Sequence, residues 1–302
     1  MNARRRSIIL LLVLVLMAVT ACQNDASEVN SDVTSDINHT EKPKTQHNNT
    51  VSQDKEKPAA AEPEEILPIL DIKIIENHFE GEEGTFVIKA MNDNKYIVFN
   101  EELANTALTP CSTFKIPNAL IGLELGVVND KNTMMKWDGT VYRIKDWNRD
   151  HTLESAIEYS TVWYFKKLAK AVGMDNMQKY LDEMDYGNAD ISGGIDKFWL
   201  DSSLKITAYE QVEFLEKFYK KVLPFREENL NMVKEMIVLE NLECGTLSGK
   251  TGTGNDGGWF VGYCETPREV YLFSAYIKKK QGKDVKKIVI DILNEGKLGS
   301  DN

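Results

Sequence analysis

Apolar positions along the chain fall into two kinds of pattern, and their order predicts a fold. Thr85-Phe86-Val87-Ile88 and Tyr96-Ile97-Val98-Phe99 are short β-rich runs, and Asn92-Asp93-Asn94 between them is a hairpin signal. Trp259-Phe260-Val261-Gly262-Tyr263 and Val270-Tyr271-Leu272-Phe273 predict two further strands. Between these pairs the spacing turns helical. Thr207-Ala208-Tyr209-Glu210 is a capping box opening a helix that carries Val212, Leu215, Phe218, Tyr219 and Val222. Thr152 is the expected N-cap of another helix, ahead of Leu153, Ala156 and Ile157. Ala119, Leu120, Leu123 and Leu125 predict a core helix. Lys286–Leu293 predicts a closing one, with Ile288 and Ile292, and Val285 and Val289, at helical spacing. Strands on both sides of a helical block predict an α/β fold of the α+β type: a central antiparallel sheet flanked by helices, with an inserted all-helical lobe.

The first 64 positions follow a different pattern. Arg4, Arg5 and Arg6 precede an apolar run from Ile8 to Val19, and small residues lead on to Cys22. A basic head, a short apolar core and a small-residue site describe a secretory signal. The run falls short of the roughly 20 residues that a membrane-spanning helix needs. Val19-Thr20-Ala21-Cys22 resembles a bacterial lipobox, in which the cysteine is lipidated and becomes the mature N-terminus. Residues 23–64 contain no Phe, Trp or Tyr. They bury too little apolar area to offset their ordering entropy, and as a coil they span about 35 Å. The expected organisation is a signal peptide over 1–21, a lipid-anchored flexible linker over 22–64 and a folded domain over 65–302. The protein is then an exported lipoprotein at the extracytoplasmic face of a bacterial cell membrane.

Composition and charge add exclusions. With 42% apolar and 27% charged residues in 302, the chain is neither disordered throughout nor fibrous. Its 36 basic and 47 acidic residues give a net charge of −11. Loss of the first 21 residues, which hold three arginines and no acid, takes this to −14. So acidic a surface repels phosphate backbones, and nucleic acid is not an expected partner. Cys111, Cys244 and Cys264 fit no zinc spacing and no HExxH occurs, so no metal is expected. Only His78 and His151 lie in the folded region, which leaves little from which to build a Ser-His-Asp hydrolase. Cys244 and Cys264 flank a hairpin on what read as adjacent strands. Two buried thiols are the expected state there, a disulfide the alternative.

Candidate chemistry begins with Ser-x-x-Lys, which puts a hydroxyl and an amine one helical turn apart on one face. A lysine held neutral there takes the proton of the serine, making a nucleophile and its base. The chain holds three such pairs: Ser52/Lys55, Ser112/Lys115 and Ser202/Lys205. The first lies in the linker, and the third stands ahead of the capped helix with no helical pattern of its own. Around Ser112, Pro110 stops what precedes, Pro117 is tolerable only near a helix start, and a core helix follows. Ser112 is therefore expected at the N-terminus of a buried helix, with Lys115 pointing inward beside Phe114. Gly252-Thr253-Gly254-Asn255-Asp256-Gly257 matches G-x-G-x-x-G, but a strand and not a helix follows, so these glycines belong to a hairpin turn. Lys250-Thr251-Gly252 just before it sets a cation beside a hydroxyl on a strand, and bare Gly252 lets an anionic substrate approach the sheet edge.

In chain order, Ser112-x-x-Lys115, Ser160-Thr161-Val162 and Lys250-Thr251-Gly252 resemble the three signatures of penicillin-interacting serine enzymes. Trp147-Asn148-Arg149-Asp150-His151-Thr152, Tyr186-Gly187-Asn188, Phe198-Trp199-Leu200 and Gly258-Trp259-Phe260-Val261-Gly262 narrow the resemblance. Over residues 70–295 the chain resembles the class D (oxacillinase-type) serine β-lactamases and their relatives, the β-lactam sensor domains. The resemblance implies a β-lactamase/transpeptidase-like fold that hydrolyses β-lactam antibiotics. In it, Ser112 attacks the lactam carbonyl to form an acyl-enzyme, and Lys115 reacts with carbon dioxide to give an N-carboxylated base. Phe114, Val162, Trp199 and Leu200 wall the carbamate pocket, with the indole N–H of Trp199 bonded to the carbamate. Ser160 relays a proton to the leaving nitrogen. Lys250 and Thr251 hold the substrate carboxylate, and the N–H groups of Ser112 and Thr253 form the oxyanion hole. No metal or cofactor beyond carbon dioxide is implied.

One departure concerns the carboxylate. Many class D enzymes carry an arginine in the loop after Lys-Thr-Gly, whereas Gly252–Gly258 here has none, which leaves Lys250, Thr251 and Thr253 as the anchor. Tyr186-Gly187-Asn188 reads mainly as a structural turn. Three rivals stand beside the hydrolase. A sensor stays acylated, but family sensors add membrane helices and a zinc-protease region that this sequence does not contain. A cell-wall transpeptidase passes the acyl group to an amine, whereas a carbamate pocket around Lys115 favours water. A lipid-anchored binding protein with a degenerate site conflicts with three intact signatures.

Overall fold

Residues 70–298 are described by a computed structural model of the chain. The expected signal peptide, the Cys22 lipobox, the linker and the Ser52/Lys55 pair lie outside the described residues. In chain order the helices are α1 (Ile72–His78), α2 (Glu101–Ala104), α3 (Lys115–Glu124), α4 (Leu153–Glu158), α5 (Val162–Val172), α6 (Met174–Met184), α7 (Ala208–Tyr219), α8 (Glu227–Met236) and α9 (Gly282–Glu295). The strands are β1 (Gly84–Ala90), β2 (Lys95–Phe99), β3 (Met134–Met135), β4 (His151–Thr152), β5 (Val238–Asn241), β6 (Thr246–Thr253), β7 (Gly257–Glu265) and β8 (Val270–Lys278).

Six strands form one antiparallel sheet in the order β2-β1-β8-β7-β6-β5. The two expected hairpins, β1–β2 and β7–β8, are both present, and Asn94 closes the first with a left-handed φ of 52°. They meet where β1 pairs with β8, Val87 opposite Ser274, so segments near both ends of the domain close the middle of the sheet. Period-two alternation gives the sheet two apolar faces. Trp259, Val261 and Tyr263 face the helical lobe with Val212, Leu215 and Phe218 of α7. Phe260, Phe273 and Ile277 face Ile75 of α1 and Val285, Val289 and Ile292 of α9. Each such fully buried side chain contributes about 1.5–3 kcal/mol. That stripe holds α9 to the sheet although glycine opens the helix.

Both expected N-caps form reciprocal capping boxes, Thr152 with Ser155 and Thr207 with Glu210. The helix ends are where the sequence reading needs correction. α7 stops at Tyr219 because the chain turns left-handed at Lys221, φ 56°, and Val222 is 68% exposed instead of packed. α3 ends at Glu124, where Gly126 at φ 66° lets the N–H groups of Gly126 and Val127 satisfy the last carbonyls, leaving Leu125 half in water. α9 opens at Gly282, a turn before Lys286. The inserted lobe is helical apart from the two-residue ladder of β3 with β4. Cys244 and Cys264 are buried thiols with their sulfurs 3.4 Å apart.

Candidate active site

The lobe and the sheet meet at the start of α3. Cys111–Phe114 form a 3-10 turn that runs directly into this helix, so Ser112 stands half-buried at its mouth and Lys115 points inward with no exposed surface. Lys115 Nζ and Ser112 Oγ are hydrogen-bonded at 2.6 Å. Burial pushes the Lys115 amine well below the usual lysine range, and the charge of nearby Lys250 pushes it the same way. An amine shifted toward its neutral form is thus in contact with the hydroxyl it is suited to deprotonate.

A second serine–lysine pair faces the first. Ser160, left-handed at φ 54° in the turn between α4 and α5, is 3.0 Å from Lys250 Nζ. Burial of Lys250 lowers its amine to about 8. The strand register explains its aim, because opposed residues of an antiparallel pair share a face. Lys250 sits opposite Val261 and Gly252 opposite Trp259, on the lobe side, whereas Thr251 sits opposite Phe260, on the α9 side. Thr253 is exposed, and its hydroxyl accepts the N–H of Gly282 at 2.8 Å.

β5 pairs with β6 only as far as Ser248, so beyond Gly249 the stretch Lys250–Thr253 forms an open sheet edge. Gly249 N–H donates to Ile237 O on that side. By alternation, the N–H groups of Thr251 and Thr253 point the same way, toward the gap beside Ser112. Gly252 is needed where β6 meets the nucleophile turn: an added Cβ would lie 2.9 Å from Pro110 O and 3.4 Å from Ser112 N.

An aromatic wall closes the inner side. Phe114 packs on Phe198, Trp199 and Tyr186 at ring separations of 5.1, 5.6 and 5.7 Å. Phe114 and Trp199 are fully buried with half-buried Leu200 packed against their cluster, and Val162, at the start of α5, is half-buried. The indole N–H of Trp199 has no hydrogen-bond partner, a costly state for a buried donor.

The structure therefore brings Ser112, Lys115, Ser160 and Lys250 together, sets the Thr251–Thr253 edge beside them, and places Phe114 and Trp199 at the back. The third Ser-x-x-Lys pair is not a site: Lys205 Nζ is bound to Thr109 Oγ1 at 2.6 Å, away from Ser202. Gly254–Asp256 is the turn between β6 and β7, as expected of the glycine-rich run. Arg268 lies in the β7–β8 turn, at the opposite end of β7 from the residues paired with Thr251–Thr253. Gly187 is left-handed, and a Cβ there would lie 2.1 Å from Lys205 O, so Tyr186–Asn188 is a turn. Two residues under the nucleophile escaped the sequence reading: buried Thr113 and buried Gln211, whose Nε2 donates to Thr113 Oγ1 at 3.0 Å. The available signal was a glutamine on the apolar stripe of α7, four residues before Leu215.

An antiparallel sheet with a helical lobe, a serine–lysine pair at the head of a buried helix and a second such pair facing it define a serine acyl-transfer protein. Residues 75–294 match the penicillin-binding-protein transpeptidase domain family. The chain is 42% identical over 224 residues to the probable β-lactamase YbxI of Bacillus subtilis strain 168, spanning 73% of this chain and 84% of YbxI. It is 40% identical over 220 residues to the regulatory protein BlaR1 of Bacillus licheniformis, spanning 70% of this chain and only 36% of BlaR1. The crystal structure of a class D β-lactamase from Bacillus subtilis superposes with a TM-score of 0.73 at 41% identity, covering 75% of this chain and 97% of that one. The chain belongs to the class D β-lactamases, serine hydrolases within the penicillin-binding-protein transpeptidase family.

Proposed function

We propose that this protein hydrolyses β-lactam antibiotics through an acyl-enzyme on Ser112. The observation that carries the reading is the fully buried amine of Lys115 at 2.6 Å from Ser112 Oγ, which burial shifts toward its neutral form. The substrate lies along the open edge of β6, its carboxylate toward Lys250 Nζ and the backbone N–H of Thr251, whose side chain is on the α9 face, and its carbonyl oxygen between the N–H groups of Ser112 and Thr253. Two such donors are generally worth about 2.7–4 kcal/mol each in the transition state. Lys115 takes the proton as Ser112 Oγ attacks and the lactam C–N bond breaks. Ser160 gives its proton to the leaving nitrogen and is resupplied from Lys250 Nζ. The proton taken up at Lys115 returns to Lys250. The freed base then takes a proton from the water that adds to the ester and gives it to Ser112 Oγ as this leaves, so the ring-opened acid departs with both lysines in their starting states.

Carbon dioxide fits the Lys115 pocket on two counts: the amine is held in the neutral form that reacts with it, and the buried Trp199 N–H lacks an acceptor. As a carbamate on Lys115 it would supply the carboxylate base that takes the Ser112 proton in acylation and the proton of the deacylating water. Trp199 Nε1 is the donor that holds this group, and Phe114, Val162 and Leu200 exclude bulk water from it.

A BlaR1-like reading, in which the domain is acylated and stays so, draws support from the similarity to that regulator. Counting turnovers separates the two. Purified protein given excess penicillin or nitrocefin should process many equivalents per Ser112. A burst of one equivalent followed by a stable adduct would identify a sensor. The lipid anchor at Cys22 belongs to the same reading, placing the enzyme where the antibiotic arrives. Cys22→Ser should move the protein from the membrane to the soluble fraction, and an unchanged membrane fraction would refute the anchor.

A further inference from the structure

We infer that Thr113, braced by Gln211, is a positioning residue that holds the nucleophile turn in its reactive shape. The inference rests on the proposal that Ser112 is the nucleophile. Cys111, the residue before it, is left-handed at φ 52°. Non-glycine residues keep that conformation only where their surroundings enforce it, and such residues gather at active sites. Here the enforcing contacts converge on the Pro110 carbonyl. Thr113 donates to Pro110 O twice, from its N–H at 3.2 Å and from its hydroxyl at 2.8 Å, closing the turn across Cys111 and Ser112.

Gln211 fixes the direction of the second bond. Its Nε2 donates to Thr113 Oγ1 at 3.0 Å, so the single hydroxyl proton is left for Pro110. Thr113 and Gln211 are both 1% exposed, so this chain of bonds is shielded from bulk solvent. On the other side, Gly252 of β6 comes against Pro110 O and the Thr113 methyl, at 2.9 and 3.2 Å from the position of a Cβ. The turn is therefore clamped between α7 and the Lys-Thr-Gly strand. Release of Pro110 lets Cys111 relax and rotates both the Ser112 N–H, aimed at the oxyanion, and Ser112 Oγ, aimed at Lys115. Binding of the substrate carboxylate by Lys250 is untouched.

Thr113→Val keeps the shape and the methyl contact and removes only the hydroxyl, whereas Thr113→Ser keeps the hydroxyl. Single-turnover acylation by nitrocefin, read over a range of concentrations, should show Thr113→Val acylating roughly 10- to 100-fold more slowly. Its half-saturating concentration should stay unchanged, and Thr113→Ser should recover most of the rate. Gln211→Met, which leaves the turn itself intact, should slow acylation in the same sense and serves if Thr113→Val fails to fold. Wild-type acylation in both Thr113→Val and Gln211→Met overturns the inference. So does a Thr113→Ser rate as low as that of Thr113→Val, since the methyl would then be what matters. Losses in proportion to the fraction unfolded, read from thermal melting, overturn it as well. An acyl adduct surviving in Ser112→Ala would defeat the underlying nucleophile assignment instead.

Discussion

Ser112→Ala should abolish acylation and turnover together, with a loss of roughly 10⁴- to 10⁶-fold, the scale on which removal of a covalent nucleophile is felt. Among the described serines paired with a lysine at this spacing, Ser112 alone combines a neutral partner, a helix mouth and an open strand edge. Ser160 also meets a lysine, but that lysine retains its charge up to about pH 8, which suits the carboxylate-binding role proposed for it. Mass spectrometry after penicillin treatment should find a single acyl adduct, on the peptide carrying Ser112. Ser202→Ala is the control: it should keep full activity, because the lysine three residues on is committed to Thr109. An adduct that persists in Ser112→Ala would place the nucleophile elsewhere.

How much of this site is legible in the sequence depends on how local each feature is. The β1–β2 and β7–β8 hairpins and the caps at Thr152 and Thr207 are written in short stretches, where turn residues and side-chain acceptors act on their own neighbours. The Ser112/Lys115 pair was legible for the same reason, since three residues of helix bring the two groups together. The meeting of Ser160 with Lys250 spans 90 residues, and no spacing rule predicts it. It was reached only through the resemblance to a family. Residues that act by burial were harder still. Trp199 differs from any core tryptophan only in that its N–H finds no acceptor, a property of the whole pocket. Gln211 is a single polar position on an apolar helical stripe, and its role depends on the turn that folds over it. The ends of α3 and α7 were misjudged because left-handed residues stop both helices while the apolar pattern runs on.

Activity should depend on dissolved carbon dioxide along its acid limb, and Lys115 is the reason. The folded protein lowers the Lys115 amine by burial and by the charge of Lys250, so the unfolded chain binds that proton more readily than the folded one. Between the lowered and the ordinary value, raising the pH therefore favours the folded state, and lowering it loads an ammonium into an apolar pocket. An ammonium neither accepts the Ser112 proton nor reacts with carbon dioxide. Turnover should stall as the pH falls through the lowered value and recover when bicarbonate is added. On the alkaline side the charge of Lys250 is lost above about pH 8, so KM should rise there and kcat should fall with it, because Ser160 loses its proton supply. Lys115→Ala should remove hydrolysis by several orders of magnitude at every pH, with no rescue by bicarbonate. Trp199→Ala removes the donor proposed to hold the carbamate together with the indole packing on Phe114, and should slow deacylation more than acylation; equal slowing of both would indicate packing alone. A carbon-13 spectrum with labelled bicarbonate reads the adduct directly, because a carbamate carbon resolves from free bicarbonate. The signal should appear in the wild type and be absent from Lys115→Ala. If fully active enzyme shows no such signal, the carbamate is excluded, and the unmodified Lys115 amine, already 2.6 Å from Ser112, is the base for both steps.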